Sequence, residues 1–139
     1  MRILVPVDGS AGALRAVKHA AAVVSEGAEV ELVNVQPPMP LYGMVRAYMR
    51  APQYRAACAA LADKALNPAI KLLKRARVAH RPHVMYGEPG ATVADAARRL
   101  KCRAIVMGTR GQGAVGNLLL GSVATKVIHL AKVPVTLVK

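Results

Sequence analysis

The stretch VMGTRGQGAVGNLLLGSV, residues 106–123, decides the fold expected for this chain. An apolar run from Ala104 to Met107 enters the stretch and predicts a buried strand. Five glycines follow, at positions 108, 111, 113, 116 and 121, and residues 122–131 are typical of a helix. Glycines let backbone N–H groups approach a phosphate, and a helix start offers unpaired donors at the positive end of its dipole. The stretch therefore predicts an anion site between a strand and a helix.

The spacing of these glycines narrows the interpretation. A Walker A motif would place a lysine directly after its second glycine, but Ser122 follows Gly121. A flexible linker is the plain alternative, yet linkers are richer in serine and proline and do not carry an apolar run such as Leu118 to Leu120. We therefore expect a structured, ligand-binding turn.

Length and composition limit the classes of protein that fit. The 139 residues predict a single domain, residues 1–139, and the 54% hydrophobic content predicts a packed core. No apolar run approaches the roughly 18 residues that a membrane span needs, so no membrane association is expected. Cys58 and Cys102 lie far apart and fit no C-x-x-C pattern, which favours reduced thiols in a cytoplasmic protein.

The net charge of +13 is compatible with nucleic acid, acidic membranes or nucleotides as partners. The basic residues are scattered, however, and their densest groups, 71–77 and 98–103, fall near predicted helix C-termini. Cations are favoured there by the helix dipole. Solvated helix ends therefore account for the charge better than a nucleic-acid footprint does.

Strand and helix patterns alternate along the chain. Strands are predicted at 2–7, 29–35, 78–85, 103–107 and 133–138. Helices are predicted at 11–26, at 53–76, from 89 onward and at 122–131. This order predicts an α/β fold with a parallel sheet, helices on both faces and right-handed crossovers.

Several local expectations accompany this order. Glu29 and Glu31 should lie at an exposed strand start, and Pro82 should confine the third strand to a sheet edge. Pro68 should bend the second helix. The segment 36–52 is predicted to be a long loop with one short helical turn near 44–49.

In such a sheet, ligands bind beyond the carboxyl ends of the strands. Asp8 ends the first strand and can accept hydrogen bonds from a ribose or a base edge; alternatively it only stabilises the next helix start. Ser122 can donate to a phosphate or act as an N-cap. Arg110 can counter phosphate charge, although an exposed arginine needs no special role.

The spacing Gly108-x2-Gly111-x9-Gly121-Ser122 resembles the nucleotide-binding signature G-x2-G-x9-G-[ST] of the universal stress protein family and matches it at every specified position. The resemblance covers nearly the whole chain. Residues 2–10, RILVPVDGS, resemble the opening strand and turn of the family, and residues 132–135, KVPV, resemble its closing strand. It implies a doubly wound, five-stranded parallel sheet in the order 3-2-1-4-5, the universal stress protein or adenine-nucleotide-hydrolase-like fold.

The resemblance also implies a ligand, ATP, with or without Mg²⁺, and a set of residues to hold it. Adenine is expected near Pro6, Val7, Asp8, Val35 and Met107. The phosphates are expected along Gly108, Gly111, Gly121, Ser122 and Val123. Members of the family are commonly homodimers that pair their last strands, here Val133 to Val138, an apolar edge that would otherwise invite aggregation.

No catalytic residue and no metal ligand is predicted. Phosphoryl transfer needs a metal-holding carboxylate and a group that positions the nucleophile, and the chain has no Walker lysine. His80 and His83 are three apart and fall on opposite faces of a strand. We expect ATP binding with slow or no hydrolysis.

Two other functions stay open at this point. The first is a dimeric interaction protein that keeps the fold without holding nucleotide, which Met39 or Met44 folded into the site would favour. The second is a nucleic-acid binder, which requires one contiguous basic face and a steep salt dependence of binding.

Overall fold

A computed structural model describes residues 1–112 and 120–139. Gly113, Gly116 and the first two leucines of the run 118–120 lie outside the described residues. Five strands are present: β1 Arg2–Pro6, β2 Glu29–Gln36, β3 Ala79–Tyr86, β4 Ala104–Gly108 and β5 Val135–Val138. Five helices are present in the described ranges: α1 Ala11–Val23, α2 Met44–Tyr48, α3 Ala51–Arg75, α4 Pro89–Arg99 and α5 Ser122–Leu130.

The five strands form one parallel sheet in the order β3-β2-β1-β4-β5, so the predicted topology is confirmed. β3 lies at an edge, as Pro82 predicts, because an edge strand tolerates a missing N–H. The order reverses at β1, whose neighbours are β2 on one side and β4 on the other. The carboxyl ends of these three strands therefore border one crevice.

Helices cover both faces of the sheet, as predicted. On one face α1 and α3 pack over a cluster that includes Val5, Val17 and Leu73. On the other face α4 and α5 pack over Leu4, Val93 and related aliphatic side chains. Strands buried on both faces explain the near-continuous apolar runs in the sequence. None of the helices in the described ranges is both long and apolar enough to cross a bilayer.

The helices form where predicted, but some of their ends differ from the prediction. Ser10 caps α1 by accepting a 3.1 Å hydrogen bond from the Ala13 N–H, but α1 ends at Val23, not at Glu26. α3 runs unbroken through Pro68. Pro68 lies on the exposed side of α3, where water can bond the carbonyl that a proline leaves unpaired. The short turn predicted in 36–52 is the helix α2.

One expectation was wrong: Glu31 is not at an exposed strand start but 1% exposed. Its carboxylate contacts side chains of both neighbouring strands, Arg2 Nε at 3.4 Å and His83 Nε2 at 2.6 Å. Glu29 joins the same cluster, 3.4 Å from Arg2 and 2.6 Å from Arg81. Because Arg2 lies on β1 and His83 lies on β3, the pairing that keeps Glu31 buried cannot be seen in the local sequence.

Both cysteines are free and buried, which agrees with reduced thiols. Burial, and to a smaller extent the nearby charge of Glu31, raise the pKa of Cys102 to about 11, against the opposing effect of Arg2. Cys102 is therefore an unreactive thiol at neutral pH.

Candidate functional site at the carboxyl ends of the strands

A cavity of about 410 Å³ lies at the carboxyl ends of β1, β2 and β4. All eleven residues singled out in the sequence border it: Pro6, Val7, Asp8, Val35, Met107, Gly108, Arg110, Gly111, Gly121, Ser122 and Val123. Met39 and Met44 do not line it, and the Met44 side chain is 78% exposed. The fold therefore gathers into one cavity a set of residues that are up to 117 positions apart in sequence.

Asp8 connects the end of β1 to the turn that follows β4. Its Oδ1 accepts a hydrogen bond from the Ser10 N–H at 2.9 Å, and its Oδ2 accepts one from the Gln112 N–H at 2.9 Å. A Cβ on Gly111 would collide with Oδ2, so glycine is required at that position. Asp8 thus stabilises the start of α1, as the alternative interpretation proposed, and also fixes the glycine turn over the cavity.

The first turn of α1 also approaches the glycine turn closely. A Cβ on Gly108 would lie 2.9 Å from the Gly12 carbonyl carbon, and a Cβ on Gly12 would lie 2.7 Å from the Arg110 carbonyl oxygen. Gly12 was not predicted as part of the site, because a glycine one residue inside a helix normally only weakens the helix. Here it lets the two backbone segments that border the cavity come together.

α5 begins at the cavity without a side-chain cap. Its N-cap is Gly121, and within the described part of the chain no side chain accepts from its first N–H groups. The alternative role of Ser122 as N-cap was therefore wrong: Ser122 is the first helical residue, and it is exposed. Gly121 is held by its own backbone, since its N–H donates to the Thr109 carbonyl at 2.7 Å. The first residues of α5, from Ser122 to Ala124, line the cavity.

α4 begins at the same cavity but is capped. Glu88 is its N-cap, and the carboxylate accepts hydrogen bonds from the Ala91 N–H at 2.8 Å and the Gly90 N–H at 3.1 Å. These two bonds, with a smaller contribution from Lys126, hold the pKa of Glu88 below its ordinary value. Pro89 and Val93 then form an apolar wall of the cavity. This wall was not predicted, although Gly87-x-Pro89 in the sequence marks the start of the helix that forms it.

The model of the universal stress protein family matches residues 1–139. The chain belongs to the universal stress protein family. It is 35% identical over 146 residues to the Thermus aquaticus universal stress protein in the QAH/OAS sulfhydrylase 3′ region, covering 99% of this chain and 97% of that one. A universal stress protein of Methanocaldococcus jannaschii is 32% identical over 142 residues, covering 99% and 81%.

A solved structure of the universal stress protein from Archaeoglobus fulgidus in complex with dAMP has the same fold. It superposes with a TM-score of 0.73 at 26% identity, covering 100% of this chain and 98% of that one. Among universal stress proteins, then, the fold described here occurs in a protein that binds an adenine nucleotide.

In this member of the family the signature residues lie along one side of the cavity. Gly108 ends β4, Gly111 packs against Asp8, and Gly121 with Ser122 begins α5. The opposite side belongs to β2, where Val35 reaches the rim. The end of β1 lies between them. The cavity therefore lies between the glycine turn with the start of α5 on one side and the apolar side chains of the strands and α4 on the other.

Proposed function

We propose that this universal stress protein binds ATP or a related adenine nucleotide in the cavity. We further propose that it acts in the cytoplasm as a nucleotide-dependent regulator of the stress response. The observation that carries the proposal is the start of α5, which has no side-chain cap among the described residues and borders the cavity beside Gly111 and Gly121. Unpaired N–H groups at a helix start bind phosphate well. The dAMP complex of the Archaeoglobus fulgidus relative supports the choice of an adenine nucleotide.

The phosphates would lie against the glycine turn and the first turn of α5. A Cβ on Gly121 would lie 3.3 Å from the Thr109 oxygen and 3.4 Å from the Arg110 Cα, so the backbone there is approached closely from behind. Glycine at 111 and 121 therefore lets the turn after β4 and the start of α5 lie close together, next to the proposed phosphate position. Ser122 adds a hydroxyl donor, and Arg110 adds positive charge at the rim.

The base would lie at the other end, against Val35 and the apolar side chains of Pro6 and Met107. Backbone groups of alternate residues in a parallel strand face alternate neighbours. Val33 faces β1, because its carbonyl accepts from the Val7 N–H at 2.8 Å. Val35, two residues on, directs its N–H and carbonyl to the same side, beyond the end of β1. One peptide N–H and one carbonyl complement the N1 acceptor and the N6 amino donor of adenine.

We propose slow or no hydrolysis of the bound nucleotide. Both oxygens of Asp8 accept backbone N–H groups, and the Glu88 carboxylate caps α4. These interactions assign the two carboxylates to structural roles, whereas phosphoryl transfer requires a carboxylate that holds a metal ion or positions the nucleophile.

Calorimetry tests nucleotide binding directly. Protein purified without added ligand is denatured and its supernatant is chromatographed for nucleotide; the apoprotein is then titrated with ATP and AMP, with and without Mg²⁺, and with GMP as the control. We expect one adenine nucleotide per chain and much weaker binding of GMP. If no nucleotide is retained and no heat is released, the cavity does not bind nucleotide and the interaction-protein alternative is the better one.

We also propose a homodimer through the last strand, Val133 to Val138. β5 is an edge strand, and Leu137 is 36% exposed. The carbonyls of Pro134 and Val138 bond β4, at 2.9 and 3.1 Å, so the backbone groups of Val135 and Leu137 face outward. An exposed apolar edge of this kind is a template for pairing with a second strand.

The register of β5 provides the test for this dimer. Leu137→Pro removes an outward N–H without touching the ladder to β4, and Leu137→Ala is the control that keeps the N–H. Sedimentation equilibrium should give a dimer for the natural protein and for Leu137→Ala, and a monomer for Leu137→Pro. A dimer that survives Leu137→Pro at micromolar concentration would place the interface elsewhere.

A further inference from the structure

We propose that the Asn34 side chain keeps β1 and β2 apart at the cavity and thereby leaves the Val35 backbone available to a ligand. The ligand named here rests on the proposed function; the strand geometry does not. Asn34 does not line the cavity and is 3% exposed. It is therefore a positioning residue, which acts through Val7 and Val35.

The β1–β2 ladder shows where the strands separate. The Glu29 N–H donates to the Met1 carbonyl at 2.8 Å, and near the other end the Val7 N–H donates to the Val33 carbonyl at 2.8 Å. The next bond of a continuing ladder would run from the Val35 N–H to the Val7 carbonyl. Instead, the Val7 carbonyl accepts from Asn34 Nδ2 at 2.7 Å. A side chain has taken the acceptor that the ladder would offer to the backbone.

The orientation of the Asn34 amide is fixed by a second buried residue. Asn34 Oδ1 accepts from Gln36 Nε2 at 2.7 Å, which leaves Nδ2 to donate to Val7. Gln36 is 9% exposed, and its own carbonyl accepts from the Gly87 N–H at 3.0 Å. The two amides thus form a buried polar connection from the end of β3 to the end of β1. Such connected buried groups hold one geometry, because an unpaired polar atom there is costly.

The hydrogen bond between Asn34 and Val7 affects the backbone groups of Val35. Val35 lies between Asn34 and Gln36, and its side chain points to the opposite face of the sheet, where it borders the cavity. Within the described ranges the paired residues of β1 and β2 end at Pro6 and Val33. The Val35 N–H and carbonyl therefore face the space beyond β1. In the proposed complex that space is occupied by the adenine edge.

Backbone hydrogen exchange tests the separation of the strands without any nucleotide. In the free natural protein the Val35 amide should exchange fast, while the Val33 amide, inside the ladder, exchanges slowly. Asn34→Leu removes the competing donor, so the Val35 N–H should bond Val7 and exchange at least about tenfold more slowly. Gln36→Met is the matched control: it removes a buried amide, but the Val7 carbonyl can still accept only from Asn34 Nδ2, which keeps the Asn34 orientation, so Val35 should stay fast. A protected Val35 amide in the free natural protein would overturn the inference whether or not any variant folds.

The second readout is base recognition. AMP should slow exchange at Val35 in the natural protein, and it should bind about 10- to 100-fold more weakly to Asn34→Leu. Purine riboside monophosphate, which lacks the N6 amino group, should bind the natural protein more weakly than AMP does. In Asn34→Leu the two ligands should bind with about equal affinity. A purely structural role for Asn34 would lower the melting temperature and leave this preference intact, which would refute the inference.

The two proposals can fail separately. If the natural protein binds no nucleotide but Val35 exchanges as predicted in the free protein and in Asn34→Leu, the proposed function is wrong and the role of Asn34 in separating the strands stands. If the protein binds AMP without protecting Val35, the function stands and the role of Asn34 in base recognition is wrong.

Discussion

α4 and α5 begin at the same cavity, on the same face of the sheet, and they begin differently. α4 carries its own carboxylate, from Glu88, on its first N–H groups, while α5 begins at Gly121 and lacks a side-chain cap within the described residues. Every helix start has N–H groups that need a partner. In α4 the Glu88 carboxylate is that partner, whereas among the described residues no side chain is the partner at the start of α5, where a ligand can bind instead.

The difference between the two helix starts predicts how an anionic ligand is oriented in the cavity. A carboxylate at α4 disfavours a second anion there, while the positive end of α5 favours one. The phosphate end of a ligand should therefore lie at α5, and its uncharged end should lie along Pro89, Val93 and Val35. A nucleotide laid across the end of β1 satisfies both requirements.

The largest effect is expected from giving α5 the cap that α4 has. Gly121→Asp places a carboxylate at the N-cap of α5, which stabilises the helix but repels phosphate. We expect the affinity for AMP to fall at least about 100-fold, or about 2.7 kcal/mol. The melting temperature should match that of Gly121→Asn, because either side chain brings a Cβ to 3.3 Å from the Thr109 oxygen. Titration calorimetry and thermal denaturation measure the two quantities.

Gly121→Asn separates the effect of the negative charge from the effect of placing a capping side chain at the start of α5. Asparagine caps a helix about as well as aspartate but carries no charge. It should weaken AMP binding by about tenfold or less, and Ser122→Ala, which adds no cap, should cost less still. If Gly121→Asp binds AMP as tightly as Gly121→Asn, the phosphates do not lie at α5.

The sequence was sufficient for the elements that local patterns determine. Strand patterns identified all five strands, although β3 is mostly polar and exposed, and their alternation with helices predicted the parallel sheet that the structure confirms. The glycine spacing singled out the turn after β4, because tight backbone approaches such as Gly108 against Gly12 require glycine. The strand order itself came from the resemblance to the family, since periodicity alone does not order strands.

The residues that were missed depend on partners far away in sequence. Glu31 was predicted to be exposed, and the prediction failed because its partners Arg2 and His83 lie on other strands and cannot be recognised from the local sequence. Asn34 attracted no attention because a polar residue in an apolar strand gives no sign of the carbonyl it will bond, here that of Val7, 27 positions away. The N-cap role of Glu88 was not predicted, because glutamate is not a preferred N-cap residue, although Pro89 at the first helical position marks the helix start.

The smallest effect concerns the cap of α4. Glu88→Gln replaces a charged acceptor with a weaker neutral one, so at pH 7 the melting temperature should fall by about 3 °C while AMP affinity stays within about twofold.

The hydrogen bonds from Ala91 and Gly90 lower the pKa of Glu88 in the folded protein. Its stabilisation is therefore complete above the ordinary glutamate pKa and is lost as the pH falls through the lowered value. Melting curves of the two proteins should differ at pH 7 and converge in acid. A gap that stays constant with pH would mean that the charge of Glu88 does not stabilise α4, and the contrast between the two helix starts would then rest on α5 alone.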